Sequence, residues 1–250
     1  PPPAAADDPK ARANMEKVDA RDDGDHPTAD MEMILIDKNG KQRLRRLATF
    51  IKDKGEDTLR LMFFRHPADV KDTAFLTFDY DDPDRPDDQW LYLPALKKTK
   101  RIATSDKSGS FMGSDLNYAD MTSRDLEDYD FTLKKELDVR GHKAWLIKSV
   151  PRSRAVVEET GYTKALLIVR QDNYVVVRSV SWVKDGGYLK YMDVKALEQI
   201  DGIWVGTRTD IAKKKGKQTV HRTVLNLANV KFNQGLDDDL FSIRRMEKGL

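Results

Sequence analysis

The feature that most constrains the fold is a long series of apolar, β-branched and aromatic segments separated by short turns. Such segments predict β-strands, here at 31–37, 44–52, 57–65, 73–80, 89–94, 131–139, 143–150, 164–171, 174–183, 187–200, 203–212 and 218–232. Because short turns join the segments and long helices do not alternate with them, consecutive strands are expected to pair antiparallel. The sequence therefore predicts a mainly β (α+β) fold, with the sheet curved into a barrel or half-barrel.

Two local signals refine this prediction near the N-terminus. A helix is predicted between Asp8 and Asp23, because Ala11, Met15 and Val18 recur on one helical face and Asp8, or the residue before it, can cap the N-terminus. Further on, the Asn-Gly pair at residues 39–40 is expected to supply the positive φ angles of a tight hairpin turn.

Composition limits the classes of protein to consider. The length of 250 residues suits one domain, expected at 8–250 after a flexible tail at 1–7. The 44 basic and 42 acidic residues nearly cancel, which argues against a nucleic-acid partner. The chain lacks an apolar run long enough to span a bilayer and contains no cysteine, so thiolate catalysis and disulfides are excluded.

Two predicted strands are apolar on both faces. The segments LRLMFF, which includes Phe63, and YVVVRSVSWV, which includes Trp182, show no polar alternation, so both faces of the sheet are expected to be covered. The cover can be the N-terminal helix and loops, a second sheet, or a bound apolar ligand. Because a barrel can be partly open inside, a bound ligand is as strongly favoured as cover by the helix and loops.

No catalytic or metal constellation is apparent. The four histidines, at positions 26, 66, 142 and 221, share no ligand spacing, so neither a zinc site nor another metal site is expected. The segment SDKSGS offers Ser105, Ser108 and Ser110 near Lys107, which is a weak resemblance to a Ser-Lys nucleophile. The following Gly/Ser loop lacks the strand–loop–helix context of a phosphate-binding loop. We therefore expect a protein without a cofactor that is not an enzyme, and a serine hydrolase remains an alternative.

Several segments together resemble a known family. They are DGD at 23–25, MEMILIDKNGKQRLRRL, DDQWLYLPALKKTKRIATSDKSGSFMGSDLNYADM and HRTVLNLANVKFNQGLDDDLFSIRRME, which follow one another over nearly the whole chain. In this order they are similar to the outer membrane lipoprotein-sorting proteins, which are LolA-like in fold. The resemblance implies an incomplete, strongly curved antiparallel β-barrel with an N-terminal helix and loops on its concave side.

The same resemblance implies a function. It suggests a periplasmic protein of a diderm bacterium, its signal peptide removed, that carries a lipid or another hydrophobic ligand to or from the outer membrane or a membrane transporter. Transporters of the resistance-nodulation-division (RND) or MMPL type are the partners that this group of the family implies. A non-carrying adaptor subunit of such a transporter is an alternative. Fold analogy alone does not identify the ligand.

These expectations assign candidate site residues. Trp90 and Tyr92 are expected to point to one side of their strand and to line the cavity wall with Phe63 and Trp182. A basic run of four residues is expected to meet an anionic headgroup or an acidic transporter surface: Lys97, Lys98, Lys100 and Arg101.

Phe111 and Met112 lie in the polar Gly/Ser loop that follows the basic run. As a gate across the cavity mouth they would be partly exposed, and methionine would adapt to irregular acyl chains. As anchors of the loop they would instead be deeply buried in the core. The sequence leaves both possibilities open.

Overall fold

The computed structural model describes residues 7–250, which form one antiparallel sheet of thirteen strands. The strands are β1 (Thr28–Asp37), β2 (Gln42–Lys54), β3 (Asp57–His66), β4 (Ala74–Asp79), β5 (Asp88–Leu93), β6 (Lys98–Arg101), β7 (Tyr129–Val139), β8 (His142–Pro151), β9 (Tyr162–Arg170), β10 (Val176–Val183), β11 (Tyr188–Ile200), β12 (Ile203–Lys215) and β13 (Gln218–Lys231). The helices are α1 (Pro9–Asp19), α2 (Arg154–Thr160) and α3 (Ile243–Lys248), together with short 3-10 turns.

The order of the strands is β6-β5-β4-β3-β2-β1-β13-β12-β11-β10-β9-β8-β7. Strands that follow each other along the chain are therefore neighbours, except β6 and β7, and one neighbouring pair is not consecutive. The first strand, β1, pairs with the last, β13, in the middle of the sheet, so that Met33 lies opposite Leu225. The two edges, β6 and β7, are joined by residues 102–128, which we call the crossing segment.

The crossing segment shows which face of the sheet is concave. Its residues Ser110 and Asn117 are bridged as a small hairpin, the 110–117 hairpin. The ring centre of Phe111 in this hairpin lies 5.0 Å from that of Phe75 on β4, while Asn117 Oδ1 accepts a hydrogen bond of 3.0 Å from Lys190 Nζ on β11. Six strand spacings separate β4 from β11, about 29 Å in a flat sheet. Because a hairpin about 5 Å wide contacts both strands, the sheet curves around it.

Two apolar clusters cover this inner face. One lies under α1, where Ala11 and Met15 pack on Phe131, Ile147 and other residues of β7–β9. The second lies under the crossing segment, where Phe111 packs with residues of β1–β5. The N-terminal helix and a long loop thus lie on the inner face, as the family resemblance implies.

The outer face of β3–β5 is covered by the C-terminal end of the chain. Phe241 and Met246 are buried at 3% and 0% exposure against Leu61, Leu76 and their neighbours. Both faces of β3 are therefore covered, which explains the absence of polar alternation in LRLMFF.

The predicted strands agree with the observed strands, apart from small shifts at their ends. The N-terminal helix is confirmed with Asp8 as its cap, whose side chain accepts from the N–H groups of Lys10 and Ala11, but it ends at Asp19. The Asn-Gly turn differs from the prediction: only Gly40 has a positive φ, and the Asp37 carboxylate accepts the turn N–H groups.

Other elements did not follow from periodicity. The basic run forms the edge strand β6, and α2 and α3 are too short to show a helical pattern. The predicted tail at residues 1–6 lies outside the described residues. Asp7, which was assigned to the tail, belongs to the fold, because its carboxylate accepts from the Phe131 N–H at 2.8 Å and from Arg12 at 2.7 Å.

Candidate functional site

A strip of half-buried apolar side chains lies on the inner face. Met31, Met62 and Leu225 project from β1, β3 and β13, Met192 projects from β11, and Met121 faces them from the crossing segment. Met31, Met62, Met121 and Leu225 lie at the margin of the cluster under the crossing segment, which is separate from the cluster under α1, and strand pairing places Met192 on the same face. We call this set the methionine strip. Methionine adapts to irregular apolar shapes, so such a surface suits a flexible hydrophobic ligand.

Phe111 holds the crossing segment on the inner face. Its ring is fully buried, at 0% exposure, and contacts the rings of Phe64, Phe75 and Tyr118 at centroid distances of 6.2, 5.0 and 5.8 Å. Met112 at the hairpin tip is half-buried, and its carbonyl accepts a hydrogen bond from the Arg45 guanidinium. Of the two possibilities that the sequence left open for Phe111, the buried anchor is the one observed, because its aromatic neighbours enclose it.

A buried polar network fixes the other side of the 110–117 hairpin. Lys190, which is 8% exposed, donates to Asn117 Oδ1 at 3.0 Å, to Asp120 Oδ2 at 3.3 Å and to the hydroxyl of Tyr162. The Tyr162 hydroxyl in turn donates to Asp120 at 2.7 Å. Burial lowers the pKa of Lys190, against the opposing effect of Asp120, and burial raises the pKa of Tyr162 well above its ordinary value.

Gly161 allows this close approach. Its φ of +78° is in the left-handed region. A Cβ at this position would lie 3.0 Å from the Cβ of Ser108 and 3.2 Å from the side-chain Nδ2 of Asn117. The glycine is thus required for both conformation and space.

Asp115 connects the hairpin to the centre of the sheet. Its Oδ2 accepts from the Thr223 hydroxyl at 2.7 Å and lies 2.8 Å from Nδ1 of His221, and its N–H donates to Thr223 Oγ1 at 2.9 Å. Beside these groups lies a pocket of about 380 Å³ lined mainly by polar residues, including Ser108, Ser110, Lys190, Lys213 and His221. We call it the rim pocket, because it opens beside the tips of the β10–β11 and β12–β13 hairpins.

The aromatic residues that were assigned to the cavity wall lie elsewhere. Trp90 and Tyr92 do point to one side, but that side is the outer face, where both pack against the C-terminal segment together with Phe63, which is 2% exposed. Trp182 also lies on the outer face, with Lys164 Nζ 4.5 Å from its ring centre. None of the four lines the methionine strip. Alternation shows which residues share a face but not which face is concave.

The basic run is exposed on β6, an edge of the sheet. Arg101 is paired with Asp88, and Lys100 lies 3.2 Å from Asp106. Lys97 occupies the turn before β6 with a φ of +47°. Its contact with a headgroup or a partner stays a prediction. A charged edge strand also protects the sheet from pairing with another chain.

The serines do not form a catalytic arrangement in the described part of the chain. Ser105 is exposed, and the hydroxyl of Ser110 donates to the carbonyl of Ser114 at 2.6 Å. Ser108 and Ser110 share the rim pocket with His221, but no serine–histidine hydrogen bond is formed within residues 7–250. Within the same residues, His, Asp and Glu side chains do not group in a way that could hold a metal ion. Among the described helices, none has the length and apolar character that crossing a membrane requires.

Sequence reasoning missed the most distinctive part of the site. Lys190, Asp120 and Tyr162 are far apart in the chain, and only Asp120 lies in one of the segments that carry the family resemblance. The methionines offered a signal, since seven of the eight lie on or against the inner face and only Met246 packs outside.

Comparisons with known structures identify the class of protein. A structure from Vibrio parahaemolyticus, named as a candidate outer membrane lipoprotein-sorting protein domain, has a TM-score of 0.85 and 30% identity, over 95% of this chain and 98% of that chain. The structure of a DUF1329 family protein from Desulfovibrio piger has a TM-score of 0.85 and 28% identity, over 95% of this chain and 98% of that chain. The structure of a LolA superfamily protein from Nitrosomonas europaea has a TM-score of 0.70 and 18% identity, over 94% of this chain and 98% of that chain. The fold is therefore that of a LolA-like half-barrel.

A family model described as "Uncharacterized protein" matches residues 56–248. The chain belongs to the family of outer membrane lipoprotein-sorting protein domains, which are LolA-like in fold. No curated protein sequence matches it.

Proposed function

We propose that this protein is a periplasmic carrier that binds the acyl chain of a lipid, or a similar hydrophobic ligand, on the methionine strip. The observation that carries the proposal is the set of apolar side chains on the inner face that stay half-buried, most of them at the margin of the cluster under the crossing segment. In an ordinary sheet, the protein's own chain would cover such side chains completely. The exposed part of the methionine strip is therefore available to a ligand. The similarity to candidate lipoprotein-sorting domains supports the same function.

The energetics of such binding need no catalysis. Each methylene removed from water contributes about 0.8 kcal/mol, so about ten methylenes contribute roughly 8 kcal/mol before ordering costs. Release therefore requires an acceptor that binds the ligand more tightly, or movement of the crossing segment. A membrane transporter of the RND or MMPL type, or the outer membrane, is the proposed donor or acceptor.

Binding of a fluorescent fatty acid tests the proposal. Protein stripped of lipid in denaturant and refolded should bind one dansyl-labelled fatty acid per chain, and unlabelled phospholipid or fatty acid should displace it. Native mass spectrometry of protein purified without denaturant should show co-purifying lipid. If the folded protein binds neither probe nor lipid, the carrier proposal fails and the adaptor alternative gains support.

Two variants on β11 locate the binding surface. Met192→Trp fills part of the strip and should exclude about two methylenes, which weakens binding about tenfold. Leu189→Trp is the matched control, because residue 189 projects from the opposite, outer face of the same strand. Equal effects of both variants would show that the probe does not bind on the inner face.

A further inference from the structure

We propose that the rim pocket binds a phosphate group, and that in a carried lipid this is the headgroup phosphate. The proposal extends the carrier function by naming the headgroup. It rests on three observations: a lysine that lacks an ion-pair partner in the pocket, the charge around it, and its position relative to the methionine strip.

The pocket contains both satisfied and unsatisfied polar groups. Lys190 is fully engaged with Asn117, Asp120 and Tyr162, so it forms part of a rigid wall. Lys213 is different: its Nζ lies 4.5 Å from the ring centre of Tyr188 and takes part in no ion pair within residues 7–250. The hydroxyl of Ser108 makes no hydrogen bond within the same residues. An ammonium and a hydroxyl group that face one pocket suit a phosphate oxygen.

Basic residues outnumber the carboxylates Asp37, Asp115 and Asp185 at the end of the half-barrel around the pocket. Asp115 is engaged by Thr223 and His221. The tips of the β1–β2 and β12–β13 hairpins are adjacent, because Asp37 and Lys213 both lie opposite His221. The basic residues of these tips are Lys38, Lys41, Arg43, Lys214, Lys215 and Lys217.

The opposite end of the half-barrel is acidic. Residues 22–25 and the β2–β3 tip contribute a group of carboxylates there, and Asp23 and Asp25 add to burial in raising the pKa of Asp53. The basic hairpin tips beside the pocket therefore lie apart from this group of carboxylates. The field of these basic tips concentrates anions at the pocket end.

The pocket also has the correct position for a lipid. Lys190 and Met192 are two residues apart on β11, and His221 lies four residues before Leu225 on β13, in each case on the same face. One pleat repeat is about 6.6 Å. The phosphate pocket therefore adjoins the apolar strip along the strands, as a phosphate adjoins the acyl chains in a phospholipid.

Lys213 and Lys214 provide the test, since neighbouring residues of β12 project to opposite faces. Lys214 lies outside, with its Nζ 4.9 Å from the Tyr191 ring centre. By isothermal titration calorimetry, Lys213→Gln should weaken binding of dihexanoyl phosphatidylglycerol by about tenfold or more, and Lys214→Gln by less than about twofold. Lys213→Arg should retain binding and shows that a loss is not caused by misfolding.

Two further ligands separate the possible sources of phosphate. If dihexanoylglycerol, which lacks phosphate, binds much more weakly than the phosphatidylglycerol, the pocket takes a lipid headgroup. If inorganic phosphate binds as tightly as the lipid with the same dependence on Lys213, the pocket takes a free anion. Equal effects of Lys213→Gln and Lys214→Gln, or equal binding of both lipids, would overturn the phosphate site. The carrier proposal would survive that result if the dansyl fatty acid still binds.

Discussion

Removing the Phe111 side chain tests whether the crossing segment is an anchored part of the core. The ring is fully buried and is enclosed by Phe64, Phe75 and Tyr118. Replacing such a residue with alanine removes its transfer free energy and leaves a cavity, which typically costs about 3–5 kcal/mol. We therefore expect Phe111→Ala to lower the free energy of unfolding by about this amount.

For a chain of this size, each kcal/mol corresponds to a melting-temperature change of about 2–4 °C, so the expected drop is about 6–20 °C. Urea denaturation followed by tryptophan fluorescence measures the free energy directly. Met112→Ala is the matched control, because Met112 is the next residue but only half-buried, and it should cost less than about 2 kcal/mol.

A cost below about 1 kcal/mol for Phe111→Ala would refute this reasoning, because a buried aromatic ring cannot be removed so cheaply from a packed core. The crossing segment would then be only loosely attached, and its contacts would not hold the two halves of the sheet in their curved arrangement.

Three further changes test other parts of the structure. Reversing the four basic residues at 97–101 to Glu should leave the melting temperature almost unchanged, since exposed ion pairs contribute less than about 1 kcal/mol each; a drop of more than about 10 °C would show a structural role. Lys52 and Lys54 hold the pKa of Asp238 at about 2 instead of 3.8, so its stabilising effect is present above about pH 4 and is lost as the pH falls towards 2. Asp238→Asn should therefore be less stable than the parent at pH 6, and a difference in urea midpoint that persists at pH 2 would contradict this origin. Met246→Ala should cost about 2–5 kcal/mol in urea denaturation, whereas a near-zero cost would mean that α3 does not stabilise the outer face.

Most strands could be predicted because their signals are local. Segments such as KALLIVRQ and IWVGTRTDIA have the β-branched composition and turn boundaries that define a strand without reference to the rest of the chain. The strand β6 was missed for the opposite reason. Lys98–Arg101 has no apolar residue, and it is a strand only because the β5 edge offers it hydrogen-bonding partners.

The candidate site depends on long-range geometry that periodicity does not contain. Trp90 and Tyr92 were correctly placed on one side of β5, but the concave side is determined by the path of the crossing segment over 102–128. In the same way, the contact between Lys190 and Asp120 spans 70 positions, and neither residue is unusual in its own neighbourhood. A polar residue on a strand is more often solvated than buried, so the sequence alone favoured the wrong environment for Lys190.

The pairing of β1 with β13 has a consequence for how the protein is made. Thr28 is opposite Lys231, so the central ladder joins residues about as far apart in the chain as the domain allows. Until β13 is available, β1–β6 and β7–β12 are two separate sheets, and each has an additional unpaired edge, at β1 and β12, that the complete sheet does not have. Ladders of such long sequence separation form slowly, because chain closure must precede the contacts that stabilise it.

During synthesis from the N-terminus, the complete sheet therefore cannot form before almost the entire chain has emerged. The proposed periplasmic location would require the chain to cross a membrane, and this delay would keep it unfolded for that step. A chain truncated before residue 218 should accordingly be trapped as two incomplete sheets, each with an edge exposed to aggregation.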